Sequence, residues 1–483
     1  MSKETPIIET DVVILGAGLA GLAAAAGVLA HGEKPVLIEK EETVGGMCRS
    51  IRKDGFIFDL GGHRFLPHRK ETADYVRGLF SDNGLILRVR KSQIYLNEKF
   101  LLYPPEALDI LKNLGMRTSF DCAVQGLYAR LRQALLREPE ISLKDWLINR
   151  FGQKLYDIYF GPYSSKLWGV DPSHVSSEWA PERVSVSSIG VVIQKLIAAR
   201  GKTIKTYARE FLYPIGGIGR ICEHMAQRAV HKGAKVFTGY NVSKIVSRPG
   251  GFLIEALDIE GKKKTFSSSR IISSMPLTEL IHAISPAPAP EVLEAASHLR
   301  FRSVRFLNLM LDVPEVSKNT WLYVPEEKFI FFRLQEFTKW CPRNSPKGKT
   351  SFALELACQK GDDIWTMPDD ELLHICLHDL KKMGIDLRGK VLGHFSTFAE
   401  HAYPFYSLGY KRHVQKLYRF FRDVDNILPC GRQGLFRYIN MDIALENGFE
   451  AADALYDPDK RRHFLREKED QGYVEAHLYL KRK

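Results

Sequence analysis

The sequence predicts an α/β fold: a parallel nucleotide-binding sheet, a helical insertion, and a second, mixed or antiparallel sheet. Three observations predict it. Residues 11–15 (D-V-V-I-L) form a short apolar run suited to a buried parallel strand, and a glycine-rich turn and an alanine-rich stretch follow at once. Residues 106 to 209 are mostly helix-like. Residues 305 to 356 are strand-rich, with the runs V-R-F-L-N-L-M-L, W-L-Y-V-P, F-I-F-F-R-L and S-F-A-L-E-L.

The turn after the first strand is Gly16-Ala17-Gly18-Leu19-Ala20-Gly21, a G-x-G-x-x-G. Gly16 permits the tight turn, Gly18 lets a pyrophosphate approach the backbone, and Gly21 lets the helix sit close on the strand. The helix start then offers free N–H groups and a positive dipole end to phosphates. A second strand, 35–38, ends at Glu39 and Lys40, and Glu39 lies 23 residues past Gly16. Its carboxylate falls where a ribose hydroxyl pair would be held. Together these make a Rossmann-type dinucleotide site.

Residues 12–30 carry no charge over nineteen positions, near the length of a membrane span. Their β-branched residues precede the first glycine and their alanines follow it, which fits a strand, turn and packed helix. The preceding residues carry one Lys and three acids, the wrong start for a secretory signal. We expect neither a span nor a signal.

Further along, helices are expected over 121–136 and 143–151, and a basic stretch over 195–209. The run Tyr213-Pro214-Ile215-Gly216-Gly217-Ile218-Gly219 precedes a helix over 220–231, and short strands follow at 235–238, 242–246, 252–257 and 270–274. A helix over 369–383 places Leu372, Leu373, Leu377 and Leu380 on one face. Another helix spans 411–421, a strand returns at 426–429, and residues 441–456 form a last helix. The tail from 457 holds eight basic and six acidic residues and reads as a solvated extension.

The chain has 483 residues, 45% hydrophobic and 26% charged, ordinary globular values that exclude a disordered or fibrous protein. Its net charge of +12 suits an anionic small molecule or an anionic surface. No basic cluster interleaved with stacking aromatics forms a nucleic-acid module. Seven scattered cysteines without a C-x-x-C pair argue against disulfides and against a metal site, and fit reduced thiols in a cytoplasmic setting.

Gly45-Gly46-Met47-Cys48-Arg49-Ser50 and Gly55 through Asp59-Leu60-Gly61-Gly62-His63 then point to flavin rather than nicotinamide. This arrangement resembles the flavin superfamily of amine oxidases, protoporphyrinogen oxidases, phytoene desaturases and UDP-galactopyranose mutase. The resemblance implies FAD in a split, glutathione-reductase-like domain. Residues 1–105, 210–276 and 401–456 would form its parts. Residues 106–209 would form a helical cap and 277–400 a β-sheet substrate domain, with 457–483 as the tail. It also implies that Gly46, Met47, Arg49, Ser50, Gly61, Gly62 and His63 run beside the cofactor.

Five further segments resemble UDP-galactopyranose mutase. Tyr163-Ser164-Ser165-Lys166-Leu167-Trp168-Gly169 resembles a segment whose tryptophan, here Trp168, lines the sugar site. Trp179-Ala180-Pro181-Glu182-Arg183-Val184 matches one carrying a site arginine, here Arg183. Trp321-Leu322-Tyr323-Val324-Pro325-Glu326 with Phe332-Arg333 implies Tyr323 and a second arginine, Arg333. Tyr403-Pro404 with Tyr406 matches a motif whose tyrosine approaches the diphosphate. The stretch Gly431-Arg432-Gln433-Gly434 through Tyr438, Asn440, Met441 and Asp442 resembles the C-terminal signature, so Gly431, Arg432, Asn440 and Met441 would face FAD and Tyr438 the substrate.

In the mutase the reduced flavin N5 attacks the anomeric carbon, and the nucleoside diphosphate leaves and later returns. Arginines and tyrosine hydroxyls suit that leaving group because they bind its oxygens with directed, charge-assisted hydrogen bonds. His63 would tune the protonation of the flavin side. The chain departs from the pattern: Arg183 leads into Val184-Ser185 rather than a P-V-R, the spacing from Tyr438 to Asn440 is short, and no uracil-recognising segment stands out. Two other readings stay open. One is an oxidoreductase moving hydride from a porphyrinogen, polyprenoid or amine to FAD, because fold does not fix reaction. The other is a non-enzymatic flavin-binding protein. The substrate is expected to be a small molecule, phosphorylated or nucleotide-linked. A reductant such as NAD(P)H and peripheral contact with a membrane remain open.

Overall fold

A computed structural model describes residues 6–81, 83–103, 107–183, 210–424, 426–466 and 479–480. The apolar run near the N-terminus becomes the strand Ile8–Leu15, whose last four residues are fully buried. It lies between Val36–Ile38 and Lys263–Ser273, both parallel to it. Lys235–Phe237 and Ile427–Pro429 extend this parallel layer on either side. The strands Gly251–Leu257 and Asn241–Arg248 add an antiparallel edge.

Two helices close the layer, and both depend on small residues. Leu19–Ala30 packs on Met441–Tyr456, and a Cβ at Gly448 would stand 2.2 Å from the Ala20 carbonyl oxygen. Such close backbone approach is what the alanine and glycine content provides. The last helix thereby ties residues from both ends of the chain to one nucleotide-binding unit.

The second sheet has seven strands, and one row across it places the site. Tyr323 of Trp321–Tyr323 stands opposite Arg333, and Arg333 of Arg333–Glu336 stands opposite Glu355. Glu355, on the wholly buried strand Thr350–Cys358, in turn faces Phe306. Residues directly opposite on neighbouring strands share a face, so the row is a consequence of register. Strand Ser92–Leu96, within 1–105, joins this sheet by parallel pairing with Trp321–Tyr323, and Lys99–Tyr103 adds to it antiparallel as the edge. Strand pattern alone carries no signal of which sheet a strand joins.

The helical insertion packs against the second sheet. Leu143–Phe151 starts on a capping box in which Ser142 and Asp145 bond reciprocally, and Gly161–Trp168 ends at Gly169, whose φ is +71°. The expected helix over 121–136 begins earlier, as Met116–Leu136. The basic stretch 195–209 lies outside the described residues.

The tail differs from its expected solvated form. Pro458–Phe464 is a helix, Phe464 and Leu465 are buried, and Arg461 donates to the Val424 carbonyl at 2.7 Å. Two apolar side chains among the charges suffice to dock it. All seven cysteines are free. Among the described residues no helix is long and apolar enough to cross a membrane.

Candidate active site

The glycine-rich turn opens onto a cleft of about 1240 Å³. Gly16 turns at φ +91°, and Gly18 and Gly46 approach so closely that a Cβ on Gly46 would lie 3.2 Å from the Gly18 Cα. A Cβ on Gly431 would stand 2.7 Å from the Ala20 Cβ. Glu39 is buried at the end of its strand. Its Oε2 accepts from the Ala17 N–H at 2.7 Å and its Oε1 from the Glu41 N–H at 3.0 Å. Burial pushes its pKa up, and these two N–H groups counter that.

The cleft is lined by Gly16, Gly18, Leu19, Ala20, Glu39, Lys40, Gly46, Met47, Arg49, His63, Gly431, Arg432, Asn440 and Met441, all expected beside the cofactor. These residues fit FAD: a backbone cradle without Cβ atoms at a helix start suits a pyrophosphate, and a fixed buried carboxylate suits a ribose.

Four further residues expected beside the cofactor adjoin lining residues and make contacts of their own. Gly21 is a packing glycine, since a Cβ there would meet the Gly16 carbonyl oxygen at 2.0 Å. Ser50 donates to Asp59 at 2.6 Å and accepts from the Gly219 N–H at 2.8 Å, tying the first flavin motif to the Y-P-I-G-G-I-G turn. Gly61 and Gly62 press on the second sheet. A Cβ on Gly62 would stand 2.1 Å from the Trp321 indole nitrogen. The F-D-L-G-G-H loop therefore needs its glycines for contact with the sheet.

At the inner end of the cleft stand His63 and Arg432. His63 Nδ1 lies 3.2 Å from the Gly61 carbonyl, and its pKa is lowered to about 4 by burial and by the charges of Arg432 and Arg333. The ring is neutral at physiological pH, which fixes Nδ1 as the donor to that carbonyl. Arg432 donates from Nε and Nη2 to the Ile439 carbonyl, at 3.0 and 2.5 Å. No carboxylate of the described residues pairs with it, so its charge stays uncompensated. Its guanidinium lies 4.9 Å from the Tyr438 ring centre and 5.9 Å from that of Tyr403.

Beyond Arg432 an aromatic cluster forms. Tyr403 and Tyr438 stack at 5.1 Å, Trp168 meets Tyr403 at 6.5 Å, and Trp179 meets both Trp168 and Tyr438 edge-on. The indole nitrogens of Trp168 and Trp179 are buried without a hydrogen-bond partner. Tyr163 links this cluster to Tyr323 at 6.1 Å. Tyr406 instead serves the fold, its hydroxyl accepting from the Tyr438 N–H at 2.8 Å.

Arg333 is not the free cation the motif implies. It forms a two-pronged pair with Glu355, Nε to Oε1 at 2.7 Å and Nη2 to Oε2 at 2.6 Å, and reaches the Tyr403 hydroxyl at 3.4 Å. Burial opposes its charge, but Glu355 more than offsets this and its pKa is raised. Arg183 ends the short helix Ala180–Arg183, and its side chain lies outside the described residues. The two arginines are therefore not seen to converge among the described residues.

Sequence reasoning missed Glu355, although an acid in an otherwise apolar strand run was a visible signal. It also missed a function for Lys166, whose Nζ donates to the carbonyls of Val324 and Glu326 at 3.1 and 2.8 Å. Burial lowers its pKa to about 7. It fastens the helix bearing Trp168 to the loop after Tyr323. Glu279, Glu400 and His401 gather at the cleft rim, where His401 lies 3.3 Å from Glu279 and Lys360 pairs with Glu400.

Comparison with known proteins fits this arrangement. Residues 19–455 match the family model described as flavin containing amine oxidoreductase. Coproporphyrinogen III oxidase from Bacillus subtilis is 23% identical over 448 residues, 85% of this chain and 90% of that protein. Among solved structures, reduced UDP-galactopyranose mutase superposes with a TM-score of 0.81 at 23% identity, covering 97% of this chain and 98% of the other. Putrescine oxidase bound to putrescine gives 0.65 at 17%, covering 93% and 100%.

Proposed function

Because the chain belongs to the flavin containing amine oxidoreductase family and is an FAD-dependent enzyme, we propose that it acts on an anionic, nucleotide-linked or otherwise phosphorylated sugar in a mutase-type reaction. The observation that carries this reading is Arg432: a guanidinium with no carboxylate partner among the described residues, at the junction of cleft and aromatic cluster. The buried indole donors of Trp168 and Trp179 support it, because orphaned donors cost about 1–3 kcal/mol each until an acceptor arrives. Phosphate and sugar oxygens are such acceptors, as are the carboxylates of a porphyrinogen, whereas a hydrocarbon substrate offers none.

Bound FAD would supply the reactive N5 centre, held by the glycine cradle and Glu39, with Arg432 on its substrate side. The chain's own residues do the rest. Arg432, with the Tyr403 and Tyr438 hydroxyls, binds the anionic portion of the substrate and stabilises it as negative charge accumulates. The Arg333–Glu355 pair holds the Tyr403 hydroxyl in place. His63, held neutral, donates no full charge to the cleft and keeps one fixed tautomer. The stacked aromatic rings exclude water from the reacting region.

Two observations favour a second reading, hydride transfer from a porphyrinogen to FAD: Arg333 is already neutralised and the walls are aromatic. The enzyme reduced with dithionite should convert UDP-galactofuranose or another nucleotide-sugar probe to its ring isomer without net redox change. Bleaching of the oxidised flavin by coproporphyrinogen III, with no isomerisation across a nucleotide-sugar panel, would overturn the mutase reading in favour of the second.

A further inference from the structure

The helix Met116–Leu136 turns its apolar face to water. Met116, Phe120, Val124, Leu127, Leu131 and Leu135 follow one another at steps of four, four, three, four and four, and each is between 49% and 82% exposed. At 100° per residue they fall on one arc of the helix surface, about 100° wide. The opposite side is the buried one, and it is built from small residues: Ser119, Gly126 and Ala129. Gly126 sits against the Phe151 carbonyl, where a Cβ would be at 3.2 Å. The helix thus docks on Leu143–Phe151 through its small face and leaves its large apolar residues outward. At 1.5 Å per residue the stripe runs for about 30 Å, and monomeric soluble proteins rarely expose an apolar patch of that extent.

Charge identifies the occupant. Between residues 112 and 137 the chain carries Lys112, Arg117, Arg130, Arg132 and Arg137 against one acid, Asp121. Arg132 pairs with Glu138 just beyond at 2.6 Å, which leaves Lys112, Arg117 and Arg137 as the basic border. Lys112, Arg117, Arg132 and Arg137 are exposed. The whole protein carries +12. A long apolar stripe on a convex single helix, bordered by basic side chains, has the composition of a helix lying in a membrane interface. There the apolar side chains enter the acyl boundary and the arginines meet phosphate headgroups.

We propose that Met116–Leu136 is a docking helix for an anionic lipid bilayer, which it enters lengthwise without crossing. The helix belongs to the same insertion as Trp168 of the aromatic cluster. The inference stands independently of the reaction proposed above.

The test is co-sedimentation of the FAD-loaded full chain with vesicles of phosphatidylcholine alone and vesicles containing one-third phosphatidylglycerol. Wild type should pellet with the anionic vesicles, and Leu127→Asp combined with Leu131→Asp should lower the bound fraction at least tenfold. High salt should weaken wild-type binding through screening. Unchanged flavin absorbance and thermal midpoint would show that the variant is folded; should it misfold, Phe120→Ser with Leu135→Ser gives the same readout. Wild type left in the supernatant with anionic vesicles, or a doubly substituted protein that pellets like wild type, would overturn the proposal. So would self-association in light scattering that the double substitution abolishes while vesicles are ignored, because the face would then be an interface between two copies of the chain.

Discussion

The cofactor cleft and the aromatic chamber behind it are built in opposite ways. The cleft is a backbone site: Gly16, Gly18, Gly46 and Gly431 matter for the side chains they lack, and three of the four come from the first 46 residues. The chamber is a side-chain site, in which Trp168, Tyr323, Arg333, Glu355, Tyr403, Arg432 and Tyr438 meet from separate strands and helices. A backbone site tolerates almost no added volume. A side-chain site tolerates volume but depends on charge balance, because each buried ion must find its counterpart.

The largest effect should come from added volume on the backbone side. Gly21→Val would drive side-chain atoms into the Gly16 carbonyl, and loss of nearly all bound flavin and of most soluble protein is expected, read as absorbance near the flavin maximum per mole of chain. Retention of stoichiometric FAD would break the contrast at its stronger end.

Next comes charge balance. Glu355→Ala leaves Arg333 buried and unpaired, which should cost about 3–5 kcal/mol in denaturant unfolding. Adding Arg333→Met should recover much of that loss, since a lone buried charge is worse than none. Equal loss in the single and double variants would show that packing, not charge, governs the chamber.

Arg432→Met should reduce kcat/KM for the anionic substrate by 10²–10³, about 2.7–4 kcal/mol of transition-state stabilisation. Flavin content measured alongside separates loss of substrate recognition from loss of cofactor.

The smallest effect belongs to His63. Its pKa of about 4 lies below the unfolded value of 6.5, so the unfolded chain binds a proton between these pH values and the folded chain does not. Stability from this group is complete above pH 6.5 and falls as pH drops towards 4, by at most about 3 kcal/mol. His63→Gln should flatten the fall in unfolding free energy across that window, and an unchanged slope would show the ring is solvated.

The same contrast explains what was legible in the sequence. Gly16, Gly18 and Glu39 could be read because their roles follow from local spacing and from backbone geometry. Gly61 and Gly62 also press on Phe306 and Trp321, a contact that spacing could not show because these lie more than 240 residues away. Arg333 was visible as a cation, but its neutralisation depends on the register that sets it opposite Glu355, and register between distant strands leaves no mark in either strand. The helix over 121–136 could be read from its pattern. Which face it would bury could not, because the large residues promise a core and the small face is the one that packs.

The central claim is that the chamber keeps one uncompensated positive charge, on Arg432, to receive an anion. Titration of UDP into the FAD-loaded enzyme, wild type beside Arg432→Met with equal flavin content, tests it most directly. Saturable binding weakened at least tenfold by the substitution is the expected result. Equal binding by both proteins, or none by either, would contradict it.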